Sequence, residues 1–219
     1  MNEVWFVDRD GTIMKDVGYC NDPLKVELIS YRAEGIIEAL EKGIKIAIVS
    51  NQSGVARRKI TPKQLASVTH EVAMQIAKSC SLLLLPDYTP PLWATWTCEQ
   101  AARWPYPLLL PVKLTLSQTR KAELLFVYCP HHPDQMCACR KPQIGMAIMA
   151  LCYWHGENWH ETMQELSMGR VPEWLRDMRA QVFGDKESDR EFAEALPFET
   201  GFWPPERFYE VACFASCAD

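Results

Sequence analysis

Short apolar runs alternate along the chain with segments of helical periodicity. Residues 4–7 form an apolar, β-prone run of strand length, and residues 44–49 form a second one. Between them, residues 31–42 carry apolar side chains at helical spacing and are followed by Gly43, which is typical of the end of a helix. The first third of the chain therefore predicts a strand, a helix and a strand in succession.

The alternation continues through the second half of the chain. Thr61, Pro62 and Gln64 combine an N-cap, a first-turn proline and a capping-box glutamine, which predicts a helix that runs to about residue 79. The later predicted elements are a strand at residues 123–129, a helix at 143–153, a short apolar strand at 181–183 and a helix at 190–196. Strands that alternate with helices predict an α/β fold in which helices cover both faces of a central parallel sheet.

Two segments interrupt this alternation. Residues 81–119 hold six of the chain's 15 prolines and three of its eight tryptophans, without a sustained period of either kind. Residues 152–180 are helical in composition but irregular. We therefore expect one domain spanning residues 1–219, with insertions at about 81–122 and 152–180. The segment beyond Leu196 follows no pattern that assigns it a place in the fold.

Polar side chains follow the predicted strands at the point where each strand ends. Asp8 and Asp10 follow the first strand, and Ser50 follows the second. Lys141 lies in the loop after the third strand, and Asp185 follows the short apolar strand. Because right-handed crossovers place the carboxyl ends of parallel strands at one edge of a sheet, these side chains are expected to converge. The alternative for the two first acids is a solvated strand-to-turn corner, where Asp and Gly are common.

Such a cluster suits phosphoryl transfer. Carboxylates from two strands can bind Mg²⁺ through hard oxygen ligands, while the metal and Lys141 neutralise phosphate charge and Ser50 orients the phosphate. One carboxylate then remains to attack phosphorus. Neither GxxxxGKS/T nor GxGxxG occurs in the chain, which excludes the common nucleotide-binding loops.

Composition and charge narrow the functional classes. A hydrophobic content of 48% with 23% charged residues is ordinary for a soluble globular protein. The formal net charge of -5 provides no global attraction for nucleic acid. No run resembles a membrane span or a secretory signal, because charged residues interrupt the N-terminus and the apolar run at residues 82–85 stops at Pro86, far short of the ~18 residues that a span requires. The expected location is therefore the cytoplasm.

Four soft metal ligands lie within one short segment. Cys129 and His131 form a Cys-x-His pair, and Cys137 and Cys139 form a Cys-x-Cys pair. Two such pairs can close a tetrahedron around Zn²⁺. Nine cysteines are many for a reducing compartment, and metal binding is the first alternative to disulfides. The competing interpretation is a set of reduced, partly buried cysteines.

Four motifs resemble those of the haloacid dehalogenase (HAD) superfamily of phosphatases. They are DRDGT at residues 8–12, SNQSG at 50–54, RKP at 140–142 and GDKESD at 184–189. DRDGT, the Gly18-Tyr19 pair after it, SNQSGVAR, CPHHP and CACRKP are similar to the branch that contains heptose bisphosphate phosphatase and histidinol phosphatase. The resemblance covers about residues 3–78, 123–151 and 180–196. It implies a HAD-like Rossmannoid three-layer sandwich with a central parallel sheet and a zinc-binding loop.

The resemblance also implies roles for the converging side chains. Asp8 would be the nucleophile that forms a phosphoaspartate, and Asp10 would protonate the leaving oxygen and then activate water. Ser50 and Lys141 would grip the phosphate. Asp8, the main-chain carbonyl of Asp10 and the carboxylate of Asp185 would hold Mg²⁺, and the Cys/His segment would hold Zn²⁺.

The predicted activity is a Mg²⁺-dependent phosphatase acting on a small sugar or metabolite phosphate, with Asn51, Arg57 and Arg140 near the substrate. A polynucleotide 3'-phosphatase or nucleotide phosphatase is the alternative, kept open by the basic run 57–59 and the inserted tryptophans, although nucleic acid is not favoured. A non-catalytic binding protein with the same fold is the second alternative. It would not require the second aspartate, Asp10.

The first insertion is foreign to the branch that the chain resembles. Its prolines limit backbone freedom, and its leucines and tryptophans need burial, so a mobile lid is the weaker interpretation. We predict a packed accessory lobe or a homo-oligomer interface that lies beside the site but not over it, because the segment enters from the end of a helix at the edge of the sheet opposite the catalytic rim. The alternative is that the segment also reaches the pocket and selects the substrate.

Overall fold

One six-stranded sheet organises the molecule. The structure is a computed structural model and describes residues 2–79, 86–116 and 120–215. The strands are β1 (Asn2–Val7), β2 (Lys45–Asn51), β3 (Leu108–Thr115), β4 (Lys121–Cys129), β5 (Met178–Phe183) and β6 (Glu199–Trp203). Their order is β3-β4-β2-β1-β5-β6, and every neighbouring pair is parallel except β3 with β4, which is antiparallel. The predicted central parallel sheet is confirmed.

Seven α-helices among the described residues flank the sheet. They are α1 (Ser30–Glu41), α2 (Pro62–Ser79), α3 (Cys98–Arg103), α4 (Gly145–His155), α5 (Trp159–Ser167), α6 (Glu187–Ala195) and α7 (Phe208–Phe214). Apolar residues of α1, α2 and α7 form one buried cluster with one face of the sheet, and those of α4 and α6 form a second cluster with the other face. The arrangement is the predicted three-layer α/β sandwich. No helix in the described parts of the chain is long and apolar enough to cross a membrane.

The first strand shows why the apolar runs are continuous. Trp5 and Val7 of β1 belong to the cluster on one face of the sheet, whereas Val4 and Phe6 belong to the cluster on the other face. All four side chains are almost completely buried. A parallel strand covered by helices on both sides has no solvent face, so its sequence does not alternate between polar and apolar residues.

The predicted start of α2 is present in atomic detail. The Thr61 hydroxyl accepts a hydrogen bond from the Gln64 amide at 3.1 Å, and the Gln64 side chain accepts one from the Thr61 amide at 2.9 Å. Pro62 is the first helical residue, where its missing N–H leaves no intrahelical bond unmade. This reciprocal cap fixes where the chain leaves the loop after β2 and enters the helix.

The first insertion is more regular than its sequence indicates. Its described part contains a 3₁₀ turn, the short helix α3 and the edge strand β3, so the expectation of irregular structure is wrong for residues 86–116. Side chains of β3 alternate between buried and more exposed positions, as an antiparallel edge strand requires. The sequence does not show this alternation, because three successive leucines precede Pro111. An edge strand tolerates the proline. Those parts of the prediction that fall on residues 81–85 and 117–119 lie outside the described residues.

The segment that the sequence left unassigned completes the sheet. Strand β6 pairs in parallel with β5, and α7 packs against α1. Phe208 of α7 is fully buried beside Trp5, with ring centroids 5.5 Å apart. A Cβ atom at Gly35 of α1 would approach the Phe208 ring to 2.7 Å, so the two helices cross closely because this residue has no side chain.

Candidate active site

The predicted side chains converge at the carboxyl edge of the sheet. Asp8 and Asp10 follow β1, and Ser50 is the next-to-last residue of β2. Lys141 reaches the same place from the loop after β4, and all four residues are buried. Asp185 follows β5 and is more exposed. The structure therefore brings together the five residues that the sequence pattern selected.

Lys141 is the electrostatic centre of the cluster. Its Nζ atom lies 2.5 Å from Asp8 Oδ1 and 2.5 Å from Asp189 Oδ1, and it donates to the Val49 carbonyl at 3.0 Å. Burial opposes the charge on Lys141, but the two carboxylates outweigh it and raise the pKa of Lys141. Lys141 therefore remains a cation at the bottom of the site. Asp189 was not selected from the sequence as a site residue, although it ends the GDKESD motif.

Asp8 combines burial with an unpaired oxygen. Burial raises the pKa of Asp8 to about 6, with Lys141 opposing the shift and the nearby Asp189 and Asp10 adding to it. Its Oδ1 atom faces Lys141, whereas its buried Oδ2 atom has no hydrogen-bond partner among the described residues. An unpaired buried carboxylate oxygen is costly unless a ligand or metal uses it. This oxygen is the group best placed to meet an incoming phosphorus atom or a cation.

Hard oxygen ligands for a divalent cation lie next to that atom. Carboxylate oxygens of Asp8, Asp185 and Asp189 all lie within 4.8 Å of one another. Gly11, with φ +91°, packs directly on Asp185, because a Cβ atom there would lie 2.3 Å from Oδ2. The site fits Mg²⁺ by ligand type. The predicted ligand set also includes the main-chain carbonyl of Asp10, which accepts from Lys186 at 3.3 Å.

The Asp10 carboxylate instead faces a set of hydrogen-bond donors. Arg9 donates through Nε and Nη2 to its two oxygens at 3.1 and 2.9 Å. Gln52 and Ser50 donate to Oδ2 at 2.8 and 3.2 Å. Neither Arg9 nor Gln52 was selected from the sequence. Both lie within motifs that were, so their position beside polar residues was the available signal.

The three predicted substrate-contacting residues occupy different positions. Asn51 accepts from the Lys141 amide at 2.9 Å and donates to the Lys141 carbonyl at 3.1 Å, so its amide is used to hold Lys141 in place. Arg57 is exposed on the loop after β2. Arg140 is partly buried, and its Nη1 atom has no hydrogen-bond partner in the part of the chain that the structure describes. The geometry thus gives Asn51 a positioning contact that the sequence did not indicate.

The four predicted zinc ligands form a compact group. Cys129 Sγ lies 3.4 Å from His131 Nδ1 and 3.5 Å from Cys137 Sγ. Cys139 Sγ lies 3.1 Å from His131 Nδ1 and 3.5 Å from Cys137 Sγ. A tetrahedral Zn²⁺ with metal–ligand distances of about 2.0–2.3 Å separates its ligands by roughly 3.5–3.8 Å. One nitrogen and three sulfurs at these spacings fit zinc, and none of these cysteines is in a disulfide.

The first insertion contacts this zinc loop. The Trp104 carbonyl accepts from His131 Nε2 at 2.7 Å, and the Ala102 carbonyl accepts from Gln135 at 2.9 Å. The described part of the insertion therefore lies beside the zinc loop at the carboxyl edge of the sheet, although the segment enters at the opposite edge. Because β3 runs antiparallel to β4 and Leu108 pairs with Tyr128, the residues just before β3 arrive where β4 ends. A homo-oligomer interface through the insertion stays a prediction.

An aromatic chain joins the two insertions beside the zinc loop. Ring centroids of Trp96 and Trp104 are 5.0 Å apart, those of Trp104 and Tyr106 5.4 Å, and those of Tyr106 and Trp159 5.1 Å. Trp159 also donates through its indole N–H to the Gly145 carbonyl at 2.9 Å. Gly145 begins the helix that follows Lys141. Tyr106 and Trp159, which are 53 residues apart in sequence, thus meet beside the start of the helix that follows Lys141.

Several curated relatives with similar sequences are named heptose bisphosphate phosphatases. No protein-family model matches the chain. The D-glycero-beta-D-manno-heptose-1,7-bisphosphate 7-phosphatase of Escherichia coli K12 is 29% identical over 185 residues, which span 81% of this chain and 72% of that protein. The corresponding heptose bisphosphate phosphatase assigned in Thermoplasma volcanium is 26% identical over 141 residues, or 64% of this chain and 69% of that protein.

Solved structures agree on the fold. The D,D-heptose 1,7-bisphosphate phosphatase from B. bronchiseptica, crystallised with magnesium and phosphate, superposes with a TM-score of 0.54 at 18% identity, covering 93% of this chain and 79% of that chain. A protein from Mesorhizobium loti assigned as a HAD-like phosphatase gives a TM-score of 0.52 at 18% identity, covering 95% and 85%. At these identities the likeness concerns the fold alone.

Proposed function

We propose that this chain, whose motifs and fold resemble those of the haloacid dehalogenase superfamily of phosphatases, hydrolyses a phosphomonoester of a small sugar or related metabolite through a phosphoaspartate. The similar curated proteins are named heptose bisphosphate phosphatases, which supports a sugar phosphate as the substrate class. The observation that carries the mechanism is the ion pair between Lys141 Nζ and Asp8 Oδ1 at 2.5 Å, with Asp8 Oδ2 left unpaired. It provides an oriented nucleophile beside a fixed cation.

In the first half-reaction, Asp8 Oδ2 forms a bond to phosphorus while the ester P–O bond breaks. The proton of the Asp10 carboxyl moves to the leaving oxygen, so the substrate departs as an alcohol and Asp10 is left ionised. Lys141 and the Ser50 hydroxyl, which turns its proton from Asp10 Oδ2 to the substrate when the phosphate binds, hold the non-transferring oxygens of the phosphoryl group and stabilise the charge that develops on them. Asn51 keeps Lys141 in position through its two main-chain hydrogen bonds.

In the second half-reaction, water attacks the phosphorus of the phosphoaspartate. The ionised Asp10 takes a proton from that water, the bond between phosphorus and Asp8 breaks, and inorganic phosphate leaves. Asp10 is then protonated again and Asp8 is a carboxylate, as at the start. Atoms and charges balance over the cycle with water as the only co-reactant.

The side chains of this region form two groups that fit metal ions. Mg²⁺ held by the carboxylates of Asp8 and Asp185 and the Asp10 carbonyl would supply positive charge to the phosphate oxygens when bound, and Asp189 lies close enough to contribute. Zn²⁺ held by one histidine and three cysteines would be structural, since four protein ligands leave no open position. The zinc loop leads directly into Lys141, so its shape sets where the phosphate is gripped.

A phosphatase panel on the purified protein tests the proposal. It compares sugar phosphates including heptose bisphosphates, histidinol phosphate, nucleotides and a 3'-phosphorylated oligonucleotide, with and without Mg²⁺. We expect the highest kcat/KM on a sugar phosphate, and loss of turnover with a chelator or in Asp8→Asn. Full activity of Asp8→Asn would contradict the mechanism, and a preference for the oligonucleotide would replace the substrate class. Failure to hydrolyse every ester would leave the non-catalytic alternative.

A further inference from the structure

Arg9 is buried and binds the side chain of Asp10, the next residue in the chain. Arg9 has no exposed surface, and its guanidinium holds both carboxylate oxygens of Asp10 through Nε and Nη2 at 3.1 and 2.9 Å. A planar guanidinium matched to a planar carboxylate defines the plane as well as the position of that carboxylate. Since arginine does not lose its proton in proteins, the guanidinium remains a donor to this carboxyl group at every working pH.

The guanidinium is itself held from behind by two elements. Its carbon atom lies over the ring of Tyr128 in β4, 5.5 Å from the centroid. Tyr128 shares a hydrogen bond with the Thr69 hydroxyl of α2 at 2.8 Å, and that hydroxyl donates to the Leu65 carbonyl at 2.7 Å. The single hydroxyl proton of Thr69 is therefore used, so Tyr128 is the donor in this pair. The support for Arg9 runs from a helix through a strand to the catalytic loop.

The donors around Asp10 are distributed unequally between its oxygens. Oδ2 accepts from Arg9, from Gln52 at 2.8 Å and from Ser50 at 3.2 Å. Within the described residues, Oδ1 accepts from Arg9 Nε alone. A carboxylate offers about four acceptor positions in total, so Oδ2 is saturated and Oδ1 keeps room for a further partner.

We propose that Arg9 is a positioning residue that presents Asp10 Oδ1 as the oxygen that gives and takes the proton. The inference rests on the proposed phosphatase function. It adds which oxygen of Asp10 transfers the proton, and that Arg9 orients this oxygen. The proton travels from Oδ1 to the leaving oxygen in the first half-reaction, and from water to Oδ1 in the second. Arg9 itself touches neither the phosphate nor the water.

A pair of esters of nearly equal shape tests this. Phenyl phosphate and 4-nitrophenyl phosphate differ by one nitro group, but phenolate needs protonation to leave far more than nitrophenolate does. Because kcat/KM reports the steps up to departure of the leaving group, loss of a directed proton lowers it mainly for phenyl phosphate. We expect Arg9→Met to increase the preference for 4-nitrophenyl phosphate by about 10-fold or more, within the range of general acid catalysis.

Two further variants keep the test decisive. Arg9→Lys retains the buried charge but loses the planar fork, and we expect it to shift the preference in the same direction by a smaller factor. Arg32→Met is the matched control, because Arg32 is also buried and bonds the carbonyls of Gly11 and Thr12 in the same loop without touching the Asp10 carboxylate. We expect it to lower kcat/KM equally for both esters.

The outcomes separate the two proposals. Equal losses on both esters in the Arg9 variants would overturn the positioning role and leave Arg9 as a structural residue. An unchanged preference in Arg9→Lys would show that charge suffices and would also overturn it. If Arg9→Met does not fold, as checked by circular dichroism, Arg9→Lys decides. Wild-type protein inactive on both esters, and on the phosphatase panel, would instead reject the proposed function.

Discussion

His131 Nε2 donates a hydrogen bond to the main-chain carbonyl of Trp104 at 2.7 Å. Because a carbonyl oxygen can only accept, this bond places a proton on Nε2, so in the neutral imidazole the Nδ1 lone pair faces the sulfurs of Cys129 and Cys139. A neutral imidazole with one free nitrogen is the form that ligates a metal, and the partner of the other nitrogen fixes its orientation. The first insertion thus shapes the predicted zinc centre.

Trp104→Ala should release zinc faster than the native protein does. Removing the ring cuts the aromatic chain between Trp96 and Tyr106, so the Trp104 carbonyl is no longer held against His131. Loss of such an outer contact typically weakens metal affinity by about 10- to 100-fold, and we expect the lower end because the carbonyl itself remains. Transfer of zinc to a chromophoric chelator measures the rate. Leu92→Ala, at an exposed position of the same insertion, is the control and should match the native rate.

Cys137→Ser should lower stability before it alters chemistry. Binding energy at a closed four-ligand site is largely folding energy, so losing one thiolate should reduce the melting temperature and abolish the stabilisation that added zinc provides. Thermal unfolding with and without zinc, together with elemental analysis, measures both. Cys98→Ser, at a free cysteine outside the loop, is expected to keep its zinc. Native protein without zinc, with stability unchanged in Cys137→Ser, would contradict the site.

Asp8→Asn should stabilise the metal-free protein at neutral pH. The native pKa of Asp8 is raised from the usual 3.8 to about 6, so between these values the folded state binds this proton more tightly than the unfolded state does. The free energy of unfolding therefore falls as pH rises through that window, and the neutral amide avoids the loss. We expect a gain on the order of 1–3 kcal/mol above pH 6, and a flatter profile. Denaturant unfolding of the native protein and of Asp8→Asn, measured from pH 4 to 8 in chelator, tests this. Parallel profiles of unfolding free energy against pH would refute the prediction.

Asn51→Leu should weaken the phosphate grip. Both amide atoms of Asn51 are bonded to the main chain of Lys141, and a buried hydrogen bond left unmade costs about 1–3 kcal/mol. We expect kcat/KM to fall by roughly 10-fold or more, with weaker inhibition by inorganic phosphate. Ser53→Ala, in the same loop, provides the comparison. Unchanged phosphate inhibition in Asn51→Leu would show that Lys141 is held by its ion pairs alone.

The sequence by itself determined the parts of the molecule that depend on local order. The reciprocal cap of Thr61 and Gln64 marks the start of α2, because both partners lie within three residues of each other. The zinc ligands also fall within one segment. The convergence of Asp8, Ser50 and Lys141 followed from a general rule, since parallel strands joined by right-handed crossovers end at one edge.

Only the tertiary structure decided which of these groups are paired with which. The direction of the Asp10 carboxylate depends on Arg9, whose own position depends on Tyr128, a residue more than a hundred positions away. The contact between His131 and Trp104 uses a main-chain carbonyl. Every residue has such a carbonyl, so no pattern of side chains could predict this contact. The place of the first insertion followed from β3 joining β4 in the antiparallel sense, and an apolar run does not encode its partner or its direction.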